Sequence, residues 1–309
     1  MILTVTLNPA IDKTIEVKNF EIAQLNKVLN TLQDPGGKGI NVSKVVESLG
    51  GKSIATGFLG GSAGKYISDA LERLEIEQSF IRIQGETRTN MKVFDAATHE
   101  TTEINEPGPL VTGAETEALL DKIGKLLKSG DILVISGSAP KSISSTYYAD
   151  LVAVGKNAGA TVFLDASGEA FVEGIKAKPD FIKPNRHELE VYFGHEIPTD
   201  ADLKVAGAHF IEKGVENVFI SLGGEGAFYC DKDHAFRLRP LKVEAHSSVG
   251  AGDAFVGAFV YGLDRELGLN DCLKLSVATS AGAVMTVGTK PMNVEWIMNQ
   301  LDLVVIDQI

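Results

Sequence analysis

Cysteine is nearly absent from this chain of 309 residues: only Cys230 and Cys272 occur, in neither a C-x-x-C nor a metal-ligand spacing. No disulfide framework can be built from them, and both read as reduced core thiols of a protein kept in the cytosol. Positive charge is also in deficit. With 29 Lys and Arg against 41 Asp and Glu, the formal net charge is −12, a surface that repels nucleic acid and anionic membrane alike. Long apolar runs are missing: the longest, such as Ala254 to Leu263, is far too short to span a bilayer. The opening MILTVTLNPAID lacks the basic n-region of a secretory signal. There is no internal repeat, low-complexity tract or Pro/Ser-rich linker. The six histidines (His99, His187, His195, His209, His234 and His246) show no H-E-x-x-H or clustered spacing and read as surface or core residues.

What is present is a 44% hydrophobic composition, enough for a sizeable core. Strand-like runs at Ile2 to Leu7, Ser53 to Phe58, Ile132 to Ile135, Thr161 to Leu164, Phe181 to Ile182 and Val218 to Ser221 alternate with helical patterns. The helical patterns fall near Gly39 to Leu49, Gly64 to Leu74, Thr112 to Leu127, Ser144 to Asn157, Pro184 to Phe193, Asp200 to Lys213, Ala251 to Leu263 and Asn270 to Val287. This alternation predicts an α/β fold with a doubly wound, mostly parallel sheet flanked by helices. Lys13 to Val17 with Val28 to Leu32, and Arg88 to Asp95 with Thr101 to Asn105, break it and read as a small β lid. The expected organisation is one principal domain over 1–309, with a lid formed by segments near 11–34 and 86–106. A lid of this kind covers a site, and an exposed apolar face on it offers a dimer surface.

Two glycine-rich stretches stand at predicted helix starts. In Pro35-Gly-Gly-Lys-Gly-Ile-Asn-Val-Ser-Lys44 a lysine sits among three glycines, the composition of an anion-binding turn. It is not a nucleotide P-loop: Leu32 stands where the first glycine of G-x-x-x-x-G-K-[ST] belongs, and Gly39 where the hydroxyl belongs. Gly51-Lys52-Ser53 fails likewise, with Val46 at the first position and a strand following. The second stretch is Ser248-Val-Gly-Ala-Gly-Asp253. Gly250, Ala251 and Gly252 predict successive backbone N–H groups at a helix start, an oxyanion or phosphate hole. Asp253 in the first turn has two readings, helix-dipole capping or a base that takes the proton of an acceptor hydroxyl.

GAGD at 250–253 together with PGGKGIN at 35–41 resembles the ribokinase/PfkB carbohydrate kinase superfamily. TLNPAID at 6–12, SGS at 136–138, KPNRHELE at 183–190 and SLGGEGA at 221–227 are similar to its branch of 1-phosphofructokinases and tagatose-6-phosphate kinases. The resemblance runs along nearly the whole chain. It implies a ribokinase-like fold, Asp253 as catalytic base and Gly250, Ala251 and Gly252 as the anion hole. It also implies ATP along Lys183, Asn185, Ser221, Gly223, Gly226 and Ser248, with Glu188 of the N-x-x-E motif organising Mg2+ through water. The sugar is expected against Asp12, Gly36, Gly37, Lys38 and Asn41. Asn90 and Ser138 are further candidates, and Lys27 and Arg88 join Lys38 as the local positive charge for a phosphorylated sugar. Ala139 and Ala254 depart from the branch pattern, which more often has leucine and serine there, and neither removes a group the chemistry needs.

The implied activity is phosphorylation of a ketohexose phosphate by ATP, D-fructose 1-phosphate to D-fructose 1,6-bisphosphate, with tagatose 6-phosphate or fructose 6-phosphate as the alternative acceptor. A homodimer through the lid is expected, and neither nucleic acid nor membrane is a partner. Two remoter readings differ in class. One is a sugar-phosphate-binding regulator without turnover. The other is a serine hydrolase, because Gly60-Gly-Ser-Ala-Gly64 satisfies G-x-S-x-G between a strand and a helix, with Ser62 as nucleophile.

Overall fold

Alternating apolar residues decide the two faces of the larger sheet. A computed structural model describes residues 1–244, 250–286 and 292–309. Its first half comprises β1 (Ile2–Thr6), β2 (Ala10–Val17), β3 (Asn30–Gly36), α1 (Lys38–Ser48), β4 (Ser53–Gly60), α2 (Gly61–Arg73), β5 (Glu77–Gln78), β6 (Ile81–Ile83), β7 (Arg88–Asp95), β8 (Thr101–Ile104), α3 (Gly113–Leu126), β9 (Ile132–Ser136) and α4 (Tyr147–Asn157). There follow β10 (Thr161–Asp165), α5 (Gly168–Ile175), β11 (Phe181–Ile182), α6 (Arg186–Phe193), α7 (Asp200–Glu212), β12 (Asn217–Ser221), β13 (Ala227–Cys230) and β14 (Ala235–Leu238). The chain ends with α8 (Ala251–Asp264), α9 (Leu269–Val284), α10 (Val294–Gln300) and β15 (Ile306–Gln308).

The larger sheet runs β15-β14-β13-β12-β11-β10-β9-β1-β4-β5, with β6 also on β4. From β12 through β5 every pairing is parallel, and β13, β14 and β15 close one edge antiparallel. Leu3, Leu133, Val162, Ile182 and Val218 face α3 to α7. Their neighbours Ile2, Val134, Phe163, Phe181 and Phe219 face α1, α8, α9 and α10. α2 packs on that second side, against Ala55 and Leu59. Helices on both faces of a mostly parallel sheet are the doubly wound architecture expected, and the chain reverses its winding between β1 and β9, where such sheets form their binding crevice.

Phe163 and Phe181 stack with ring centroids 5.6 Å apart, Phe219 continues the row at 6.2 Å from Phe181, and Phe259 of α8 meets Phe219 edge-on at 4.8 Å. Together these rings seat α8, whose first turn carries Asp253, rigidly on the sheet.

The smaller sheet has the order β3-β2-β7-β8. It forms from the segments read as a lid, with two boundary corrections. β2 begins at Ala10 instead of Lys13. β3 spans Asn30–Gly36, so Val28 and Leu29 lie outside it and are exposed. Register explains the shift, since Asp12 opposes Asp34 on β3 and Asn90 on β7. α4 begins at Tyr147 because Ser144 Oγ pairs with Thr146 Oγ1 in a turn, and α6 begins after Asn185, its cap. The predicted end of α9 at Val287 lies outside the described residues. β5, β6, α5, α10 and the β13–β15 edge do not stand out in the sequence; all are short, with too few turns or alternations to establish a period.

Candidate active site

The first half-site is built where β1 hands over to the lid and the lid returns to α1. Gly37 takes φ +116° and caps α1 without a side-chain bond. A side chain at Gly39 would meet the Val5 carbonyl, so only glycine lets α1 lie this close to β1. Thr6 Oγ1 accepts the Ile40 N–H at 3.0 Å, and Thr4 Oγ1 pairs with Ser43 Oγ at 2.8 Å. Side chains at i, i+3 and i+6 of α1 then fan over about 120° of the helix, from the sheet toward the lid. Lys38 Nζ donates to Asp165 Oδ1 at 3.1 Å, Asn41 Nδ2 donates to Asp253 Oδ2 at 2.8 Å, and Lys44 Nζ donates to the Pro35 carbonyl.

The second half-site is the start of α8. Gly250 is left-handed at φ +84° and no side chain caps the helix, so the first-turn N–H groups of Ala251 and Gly252 lack an intrahelical acceptor. Asp253 is only 7% exposed. Burial pushes its carboxyl up to about 6 and Asp165 adds to the push, while Lys38, the Asn41 hydrogen bond and Lys183 pull it back. Lys183 leaves the end of β11 and places its ammonium beside Gly252, where a Cβ would come within 3.3 Å of Nζ. Burial opposes the charge of Lys38, yet Asp165, Asp253 and Glu188 outweigh it and raise its pKa above the ordinary lysine range.

Over this pair stands the lid. Asn90 Nδ2 donates to Asp12 Oδ1 at 3.1 Å, and a Cβ at Gly36 would collide with the Asp12 carboxylate, so these three lie on one face of the small sheet. Arg88 shares that strand face but directs its donors to carbonyls: Nη2 and Nε to Asn8 O at 3.0 and 3.2 Å, and Nη1 to Glu106 O at 2.9 Å. It ties together three of the chain segments that join lid to body. Lys27 lies exposed in the arm between β2 and β3 and is not brought to the cluster. Ser138 is exposed next to Gly137, across which the Lys38 side chain runs.

The remaining expected residues line the neighbouring strand ends. Asn185 and Glu188 form a reciprocal cap on α6, each accepting the other's backbone N–H at 2.8 Å, which uses one Glu188 oxygen, Oε2. Ser221 ends β12 and bridges to Asn185. Gly223 (φ +58°) and Gly226 (φ +93°) form the turn after it, and a side chain at Gly226 would strike the Leu238 carbonyl. Ser248 lies outside the described residues. Ser62 is exposed, and among the described residues its hydrogen-bond partner is Glu86, at 3.0 Å; no histidine stands there to activate it.

Sequence reading missed Asp165, Lys44 and Asp34. Asp165 is the last residue of β10, and an acid at the carboxyl end of a sheet strand is the signal that could have found it. Lys44 lies in the quoted glycine stretch itself. Burial brings it down to about 8 against the opposing pull of Asp34, Asp12 and Asp253.

A buried carboxylate beside an anion hole, flanked by two ammonium groups and facing a polar lid, is the equipment that transfer of a phosphoryl group to a hydroxyl requires. Residues 5–296 match the family model described as pfkB family carbohydrate kinase, and the chain belongs to that family. It is therefore a sugar phosphotransferase of the ribokinase-like fold, a class that uses ATP. It is 36% identical over 286 residues to a 1-phosphofructokinase of Bacillus subtilis, covering 93% of each chain. To a tagatose-6-phosphate kinase of Staphylococcus epidermidis it is 36% identical over 277 residues, 89% of each. The tetrameric inhibited form of phosphofructokinase-2 from Escherichia coli superposes with a TM-score of 0.91 at 26% identity, covering 98% of each chain. Among the described residues no helix is long and apolar enough to cross a membrane.

Proposed function

We propose that this protein transfers the γ-phosphoryl group of ATP to D-fructose 1-phosphate, giving D-fructose 1,6-bisphosphate. The observation that carries the reading is Asp253, buried, held by Asn41 and set in the same turn as the Gly250–Gly252 amides, with Lys44 acting on both it and Asp12 of the lid. Sugar hydroxyls donate to Asp12, the acceptor hydroxyl gives its proton to Asp253, and its oxygen attacks the γ-phosphorus in line. The 250–252 amides, Lys38 and Lys183 take up the charge that gathers on the transferred group. The nucleotide follows Lys183, Asn185, Ser221, Gly223 and Gly226.

Glu188 keeps one carboxylate oxygen outside its cap bond, and no group of three or more His, Cys, Asp or Glu that could hold a metal occurs among the described residues. The free Glu188 oxygen fits Mg2+, which takes one or two carboxylates and draws its other ligands from water and phosphate. When bound there through Glu188, it would neutralise charge on the nucleotide phosphates.

The acceptor rests on the relatives. Because a tagatose-6-phosphate kinase is as similar as a 1-phosphofructokinase, tagatose 6-phosphate is the second reading. An ADP-release assay over fructose 1-phosphate, tagatose 6-phosphate and fructose 6-phosphate should give the highest kcat/KM for the first, by about tenfold or more. A higher value for tagatose 6-phosphate would replace the proposed acceptor.

The arm between β2 and β3 exposes Ile22 (87%) and Leu25 (86%) beside Val28 and Leu29. An apolar patch of this kind on a lid supports a dimer through it. Sedimentation at assay concentration should show a dimer, and Ile22→Asp with Leu25→Asp should give a monomer; a monomeric unmodified chain would end this part of the reading.

A further inference from the structure

We propose that Asp165 is a positioning residue of the phosphoryl-transfer site: its carboxylate holds Lys38 on one oxygen and Lys183 on the other, keeping Lys38 away from the base. Asp165 is 2% exposed and ends β10, at the crevice between the sugar loop and the nucleotide strands. Lys38 Nζ lies 3.1 Å from Oδ1 and Lys183 Nζ 3.5 Å from Oδ2. Its backbone carbonyl takes the Gly137 N–H at 2.9 Å, fixing the turn across which the Lys38 side chain runs. Lys38 leaves α1 one turn before Asn41, the residue that holds Asp253, so the same helix delivers a cation and a base-holder to one place.

Lys38, Lys183, Asp165 and Asp253 share this space, with Lys44 of α1 also acting on Asp253 and Glu188 of α6 on Lys38. Paired as they stand, Lys38 and Lys183 are held by a group that takes no part in proton transfer, and the hydrogen bond that Asp253 accepts at 2.8 Å comes from the neutral amide of Asn41. With the Asp165 charge removed, Asp253 becomes the carboxylate available to Lys38, and an ion pair there makes a poorer base. The electrostatics have matching signs: Lys38 lowers the Asp253 pKa and Asp165 raises it. Burial works against the charge of Asp165, but Lys183 and Lys38 hold it below the ordinary carboxylate value, so it is ionised wherever the enzyme would work.

This inference rests on Asp253 as the base and is tested separately from it. Asp165→Asn in the full chain should move the acid limb of the kcat/KM profile down by about half to one pH unit and lower kcat about tenfold. Lys38→Met should move the same limb up by a similar amount. Asp165→Glu should restore part of the lost turnover. An acid limb unmoved in either folded variant overturns the proposal, as does a changed half-saturating Mg2+ concentration with the limb in place. If Asp165→Asn fails to fold, the direction of shift in Lys38→Met decides. Asp253→Asn that retained turnover would instead remove the base reading itself.

Discussion

Asp253→Asn should lower kcat at least about 10²-fold while leaving both Michaelis constants within about threefold. The amide keeps the shape of the carboxylate and can still pair with Asn41, whose Nδ2 donates to Oδ2 at 2.8 Å in the native protein. What it cannot do is accept a proton. A loss of 10² corresponds to about 2.7 kcal/mol of transition-state stabilisation, the scale expected for one general base, with the amides at 250–252 and the two lysines still in place. The native enzyme should also lose kcat/KM as pH falls through about 6, because burial puts the Asp253 carboxyl there and the protonated form is not a base. In the asparagine variant that limb should vanish from the residual activity. Loss of sugar affinity in place of turnover would instead make Asp253 a binding group.

Phe259→Ala should destabilise the fold by about 3–5 kcal/mol, read as a lower urea midpoint with the slope unchanged. Phe259 is fully buried, and its ring meets Phe219 at 4.8 Å, Phe181 at 5.3 Å and Phe163 at 6.4 Å. Those three partners stand on three adjacent strands that cannot collapse into the vacated space without breaking their ladders, so the cavity cost is added to the lost transfer energy. α8 is held down by this contact and carries Asp253 a turn and a half earlier. A loss below about 1 kcal/mol would show that α9, which packs along α8 and shares its core cluster, closes the gap.

Those parts of the site that are written as local patterns are legible in the amino-acid sequence. Glycine where φ is positive, as at Gly37 and Gly250, leaves a mark in sequence because few other residues tolerate the conformation. The lid is equally plain, since β2 and β7 have the length and alternation of strands. Asp165 is legible only in part: its place at the carboxyl end of a strand marks it as a candidate, but its meaning comes from Lys38, 127 residues away. Arg88 adds a second case: its charge suggests a phosphate ligand, and tertiary placement also sets its guanidinium on the Asn8 and Glu106 carbonyls, contacts that no local pattern shows. Which lysine meets the sugar's own phosphate is likewise a matter of tertiary placement. Lys38 lies on Asp165, at the Asp253 end of the site, and Lys27 lies out on the arm.

The most direct measurement is phosphorus NMR of ATP and D-fructose 1-phosphate with native protein and with Asp253→Asn, run side by side. Native protein should form ADP and D-fructose 1,6-bisphosphate one for one, and the variant should form neither on the same timescale. Release of inorganic phosphate without a new sugar phosphate, or equal product from both proteins, would contradict phosphoryl transfer through Asp253.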